Sequence, residues 1–159
     1  MAFLDPVTLQ AGGVRLEPLG LHHAGPLADA MGDDDPAKEW FARTPSAADV
    51  ASDIDAKLQA AAAGQWLPFA VLNEGTAVGS TSYLHPQSDI PSVEIGATWL
   101  GPAARRTGVN TVAKTLLLTH AFETWGCRRV AFRATWFNRA SRAAIERLNG
   151  ALRRVVSDQ

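Results

Sequence analysis

The sequence predicts an α/β (α+β) domain built on a mixed, mostly antiparallel sheet with helices on both faces. Three observations carry this. Two strand patterns, residues 66–73 and 76–85, meet at Glu74-Gly75, a hairpin signal. A strand–helix–strand unit then covers residues 93–136, and such a unit within one sheet is parallel and right-handed. No repeat, low-complexity tract or linker divides the 159 residues, so one domain is expected, with a loose lead-in at 1–13.

Residues 14–19 alternate apolar and polar, and Pro18 places this first strand at a sheet edge. Residues 21–31 form a weak helix carrying Leu21, Leu27 and Met31. His22-His23 opens it. Adjacent histidines point to different helix sides and no third ligand is near in sequence, so both are expected in solvent rather than on a metal. Gly32-Asp33-Asp34-Asp35-Pro36 is a turn and cap signal, followed by a short helix through Trp40 and Phe41. Ser46-Ala47-Ala48-Asp49 resembles a capping box with Asp in place of Glu. Val50, Ile54 and Leu58 then recur at four-residue spacing in a helix over 47–63, stopped by Gly64.

The hairpin follows, then a loop at 86–91 and a strand at 93–100. The helix over 107–125 has one stripe at Val109, Val112, Ala113 and Leu116 and another at Leu118, Phe122 and Trp125, which means heavy burial. His120, near the first stripe, reads as a hydrogen-bonded packing residue. A strand over 128–136 precedes a helix over 138–148, capped by Asn138, striped by Ser141, Ala144, Ile145 and Leu148, and ended by Asn149-Gly150. Residues 151–156 allow one short strand and no hairpin. An open edge carrying Val155 and Val156 would recruit another chain. Either a homodimer covers it, or the tail after Arg154 is disordered.

Hydrophobic residues are 47% and charged residues 19%, which fits a globular chain. The formal net charge of -1 excludes a general nucleic-acid binder. Cys127 is the only cysteine, so no internal disulfide or thiolate metal cluster is expected, consistent with a reduced, cytoplasmic setting. No apolar run reaches the roughly 18 residues of a membrane span, and no export signal is read.

The chemistry gathers between the two parallel strands. Gly101-Pro102 breaks the strand, and Arg105-Arg106 stand just before the long helix. Free N–H groups and the positive dipole end make a helix start an anion site, most naturally for phosphate. The order Arg105-x-x-Gly108-x-Asn110, after Glu94-Ile95-Gly96, resembles the pyrophosphate loop of the GNAT N-acetyltransferase superfamily, usually Gln/Arg-x-x-Gly-x-Gly/Ala. The continuation from Thr107 to Leu118, and Asn138-Arg139-Ala140-Ser141, look like the branch containing the ribosomal-protein N-terminal (alanine) acetyltransferases. The resemblance covers residues 14–148. Asn110 departs from it, and so does the short C-terminus.

The resemblance implies that the parallel pair splays and holds acetyl-coenzyme A (acetyl-CoA) as cosubstrate, with no metal. The pantetheine arm would pair with backbone at Trp99 and Leu100. The pyrophosphate would sit on N–H groups of Arg105, Arg106, Thr107, Gly108, Val109 and Asn110, with Gly108 allowing close approach. Asn138 would contact the pantetheine arm, or simply cap its helix. The implied reaction is direct attack of a neutral amine on the thioester. It needs a base, an oxyanion donor and a proton for the thiolate. Backbone N–H near Leu100 is the candidate donor. Glu94 is the candidate base, through water, since a regular strand puts it on one face with Gly96, Thr98 and Leu100. A salt bridge to Arg133 is the competing role. Ser141 would pass the proton, or else pack. Tyr83 is the only tyrosine, so the family's usual tyrosine acid beside Ser141 is absent.

At pH 7 roughly one peptide α-amine in ten is neutral, against about one lysine in a few thousand. With no strong base evident, the expected acceptor is the N-terminal α-amine of a protein or peptide. Two alternatives stay open: a non-catalytic CoA-binding module, and an enzyme for a small cationic amine drawn by Asp33-Asp34-Asp35.

Overall fold

The structure, a computed structural model, describes residues 5–31, 47–105, 107–133 and 155–158. One seven-stranded sheet runs in chain order: β1 (Leu9–Ala11), β2 (Val14–Pro18), β3 (Trp66–Asn73), β4 (Thr76–Gln87), β5 (Ser92–Leu100), β6 (Arg129–Arg133) and β7 (Val155–Asp158). The pairs from β1 to β5 are antiparallel; β5–β6 and β6–β7 are parallel. Helices α1 (Ala24–Met31), α2 (Val50–Ala62) and α3 (Val109–Thr119) flank it. No helix among the described residues is long and apolar enough to cross a membrane.

Two cores lie on opposite faces of the sheet. On one, α3 buries Val109, Ala113, Leu117 and Leu118 against Leu16, Phe69, Tyr83, Ile95, Val130 and Phe132. On the other, α1 and α2 bury Leu27, Met31, Val50 and Ile54 against Ala70, Ala77 and Trp99. Tyr83 is fully buried and its hydroxyl donates to the Leu117 carbonyl, which ties β4 to α3.

The hairpin turns at Glu74 (φ 51°) and Gly75 (φ 82°), the paired left-handed conformation of a tight hairpin. The lead-in is not wholly loose. Gly12 and Gly13, both at positive φ, fold β1 back onto β2, so β1 is the edge and β2 is interior. Pro18 is tolerated because it ends β2. Helix α2 starts at Asp49, which makes no side-chain capping bond. Ser46, the expected cap, lies outside the described residues, as do the Asp33–Asp35 turn and the helix expected through Phe41. The last turn of α3 widens over His120–Thr124, where Trp125 N–H donates to the His120 carbonyl at 3.1 Å. β7 occupies Val155–Asp158, where a disordered tail was one of two expectations. It overturns that one. Backbone pairing to β6 supplies the order that residues 155–158 cannot supply alone.

Candidate functional site

The site begins with a defect in β5. Ser80 pairs with Trp99 and Ser82 with Gly96, so Thr81 stands opposite both Ala97 and Thr98. This is a β-bulge. Ala97 takes φ 50°, a left-handed conformation costing a non-glycine residue about 1–2 kcal/mol. The bulge inverts the strand's alternation. Before it, Val93 and Ile95 face α3; after it, Trp99 enters the α1/α2 core while Leu100 packs on the α3 side.

One expectation is corrected here. Glu94 and Gly96 share the α1/α2 face, but Thr98 and Leu100 lie on the other, because one extra residue shifts the period. Half-buried Glu94 is flanked by Leu84 and Ala131 at Cα register positions. On the same face Ser82 stands opposite Gly96, and its buried hydroxyl has no hydrogen-bond partner.

The bulge lies just past the described end of the parallel ladder. Among the described residues β5 pairs with β6 from Ser92↔Arg129 to Ile95↔Phe132, while its pairing with β4 runs on to Leu100. The carbonyl of Leu100 accepts a 3.0 Å hydrogen bond from Arg105 Nε. That of Trp99 lies where a Cβ on Gly79 would be. A ligand pairing with this strand end thus finds one acceptor taken and the other turned to β4.

The loop between β5 and α3 is locally tied. Thr107 Oγ1 donates to the Ala104 carbonyl. Gly108 precedes α3 at φ 88°, and nothing lies within 4 Å of a Cβ built there. Glycine is required by backbone conformation, and the space above it is open. The first amides of a helix have no intrahelical partners. Thr111 Oγ1 and Asn110 Oδ1 are buried without hydrogen-bond partners. Amides and a threonine hydroxyl are donors, the set a phosphate group needs. Asn110 Oδ1 is an acceptor and does not join that set.

Of the expected site residues, Glu94 lies within the β5–β6 ladder, Trp99 and Leu100 end β5, and Arg105, Thr107, Gly108, Val109 and Asn110 lie in the loop and first turn of α3. Arg106, Asn138 and Ser141, and the side chain of Arg133, lie outside the described residues. Tyr83 is sealed against α3 and burial pushes its phenol well up, so it is no acid for this site. Burial also pushes the Cys127 thiol up to about 11, which makes it a poor nucleophile. His120 is buried as expected, edge-on to Trp125, but its Nε2 has no hydrogen-bond partner.

Two features escaped the sequence reading. Lys114, between the two apolar stripes of its helix, is buried, with Nζ 3.3 Å from Thr98 Oγ1. His23 is buried rather than solvated: its Nδ1 accepts from Gly20 N–H at 3.0 Å and its Nε2 meets Glu17 Oε1 at 2.7 Å. With exposed His22 these form a Glu-His-His trio whose ligand atoms lie within 4.8 Å of one another. Both His23 nitrogens are already satisfied by protein groups, so the trio is explained as a cap on the turn at Leu21–His23. The hydrogen bond from His23 holds the Glu17 carboxyl below its usual range.

Residues 14–150 match the Acetyltransferase (GNAT) domain family. The chain belongs to the GNAT family. Solved GNAT-type structures share its fold. A GCN5-related N-acetyltransferase from Brucella melitensis is 25% identical, with TM-score 0.73 over 91% of this chain and 67% of that one. Mycobacterium smegmatis RimJ in complex with CoA-disulfide is 21% identical, with TM-score 0.75 over 93% and 77%. RimL, a ribosomal L7/L12 α-N-protein acetyltransferase, is 16% identical, with TM-score 0.74 over 89% and 79%. No curated protein matches the chain. GNAT membership fits the bulged β5 and the loop into α3.

The Arg105 bond to Leu100 pins the loop to the end of β5. Arg105→Ala is expected to weaken CoA binding by about 1–3 kcal/mol, measured by calorimetric titration. Unchanged affinity would mean that Arg105 neither contacts the ligand nor shapes the loop.

Proposed function

We propose that this GNAT protein transfers the acetyl group of acetyl-CoA to an amine, most readily the N-terminal α-amine of a protein or peptide. The observation that carries the reading is the end of the parallel ladder at the Ile95–Phe132 pair among the described residues, together with an α3 start where Gly108 leaves open space and the Thr111 hydroxyl lacks a partner. The pyrophosphate binds this helix start, and Gly108 leaves room for it. Arg106 and Asn138 add ligand contacts, as the family motif implies. The motif from Thr107 to Leu118 supports placement in the ribosomal-protein branch; RimJ and RimL share the fold.

Glu94 takes the amine proton through water on the α1/α2 face. Ser82, with its idle hydroxyl opposite Gly96, is placed to hold that water. The oxyanion is met by backbone N–H near Leu100, and Ser141 passes the proton to the thiolate, as the family motif implies. The α-amine is favoured because its reference pKa, about 8, gives far more neutral nucleophile at pH 7 than lysine at about 10.4. β7 is outermost in the sheet among the described residues, and pairing there with a second copy would make a homodimer.

The deciding experiment is thermal shift with acetyl-CoA, followed by thiol release against peptides with free and blocked N-termini. A ligand bound only to the native state raises stability, so no shift at saturation sinks the reading. Binding without release from any amine would leave a CoA-binding module. Release with polyamines alone would favour the small-amine alternative. Glu94→Gln is expected to lower kcat by about 100-fold or more, the usual scale of general-base catalysis, with little change in CoA affinity. A kcat within twofold of the parent would remove Glu94 from the mechanism.

A further inference from the structure

Arg105 holds a backbone acceptor at the end of β5. Gly101 N–H donates to the Val78 carbonyl of β4 at 2.8 Å. The Leu100 carbonyl belongs to the same peptide group, and a trans peptide sets C=O and N–H on opposite sides. It therefore points away from β4. The Trp99 carbonyl lies against Gly79 of β4, so by the same rule the Leu100 N–H also points away from β4. β6 stands on that side of β5. Leu100 thus turns one donor and one acceptor to the side from which a strand-like ligand would pair.

The acceptor is occupied from within the chain. The turn Pro102–Ala104 returns the chain onto the strand it has just left, and Arg105 closes it with its N–H on the Pro102 carbonyl at 3.4 Å. The side chain then reaches back, and Nε meets the Leu100 carbonyl at 3.0 Å. A carbonyl is a neutral partner for a guanidinium. A phosphate suits its planar fork better, with two parallel charge-assisted bonds in place of one. Arg105 is half-buried, so moving it does not open the core. It stands three residues before Gly108, in the loop leading to the open space at the start of α3.

We infer that Arg105 is a latch that makes the end of β5 selective for phosphate-bearing thioesters. The inference rests on the acetyl-transfer reading, with an amide-bearing arm paired to Leu100 and a pyrophosphate at the start of α3. An amide N–H of the arm and Arg105 Nε compete for one carbonyl. A ligand that carries phosphate offers the guanidinium a stronger partner, so the exchange is favourable. A thioester without phosphate must displace the arginine and gives it nothing in return. The contact that pins the loop thus penalises acyl-pantetheines and admits acetyl-CoA. No covalent bond changes; one hydrogen bond replaces another.

The test uses the intact chain with acetyl-CoA and with acetyl-pantetheine, the same thioester without its nucleotide and phosphates, titrated calorimetrically. Arg105→Ala is expected to bind acetyl-CoA about tenfold more weakly than wild type, through loss of the phosphate contact. It is expected to bind acetyl-pantetheine roughly threefold more tightly or better, because the competitor for Leu100 is gone. Effects of opposite sign are the signature of a latch, since a disordered loop would weaken both. A second measurement needs no variant. Inorganic pyrophosphate should draw Arg105 from Leu100 and tighten wild-type binding of acetyl-pantetheine by roughly threefold or more, a coupling that Arg105→Ala lacks. Weaker or unchanged binding of acetyl-pantetheine by Arg105→Ala overturns the proposal. So does wild-type binding of acetyl-pantetheine that is indifferent to pyrophosphate. If wild type does not bind acetyl-CoA, the acetyl-transfer reading falls and takes the latch with it, a result distinct from the other two.

Discussion

Gly108→Val is expected to raise the dissociation constant for CoA by about 10- to 100-fold and to destabilise the protein by about 1–3 kcal/mol. Gly108 holds φ 88° at the start of α3, in the region a β-branched side chain resists most. Strain of that size shifts the loop out of its binding conformation, and apparent affinity falls with the population of the competent loop. A ligand adds a second obstacle, since the space a Cβ would take is open at the start of α3. The two effects separate experimentally. Gly108→Ala meets most of the backbone strain with less bulk, so it should lose stability nearly as much but affinity less. Calorimetric titration and urea unfolding of both variants measure this. Wild-type affinity in Gly108→Val would place the phosphate elsewhere.

Lys114→Met is expected to gain about 3 kcal/mol of stability at pH 7. A lysine drawn from 10.5 to about 8 by burial carries a penalty of roughly that size whenever both folded and unfolded states are protonated. The folded pKa is depressed, so between about 8 and 10.5 the unfolded state binds more protons. Wild-type stability from this group therefore rises with pH through that window, and the penalty is full below it. Removing the amine should raise stability at pH 7 and flatten the rise toward pH 10. Thr98 keeps its bond to Thr81, so no hydroxyl is orphaned by the change. Urea unfolding at pH 7 and pH 10 reads both effects. A variant less stable than wild type at pH 7 would show that the ammonium is held by favourable interactions.

What the sequence by itself determined is local. The Glu74-Gly75 turn is written in residue types that tolerate positive φ, and Val50, Ile54 and Leu58 show the inward face of α2 through their spacing. The phosphate-loop motif was legible because Gly108 and the helix start are contiguous in the chain. The resemblance drawn from it led to the family that residues 14–150 match.

Only the tertiary structure decided the rest. β1 is a strand because β2 lies beside it, not because Leu9–Ala11 has a strand pattern. His23 is buried because Glu17 and the Gly20 amide happen to meet both its nitrogens. The bulge at Ala97 carries no glycine to announce it, yet it turns Thr98 and Leu100 away from Glu94. An extra residue in one strand is defined only by the partner strand's register, so no periodicity read along β5 alone could reveal it. Lys114 escaped for a related reason. A cation within an apolar helix reads as a solvated face until Thr98 and Phe132 of the sheet are known to lie against it. Burial and register are relations between distant segments, and these fixed which side chains meet.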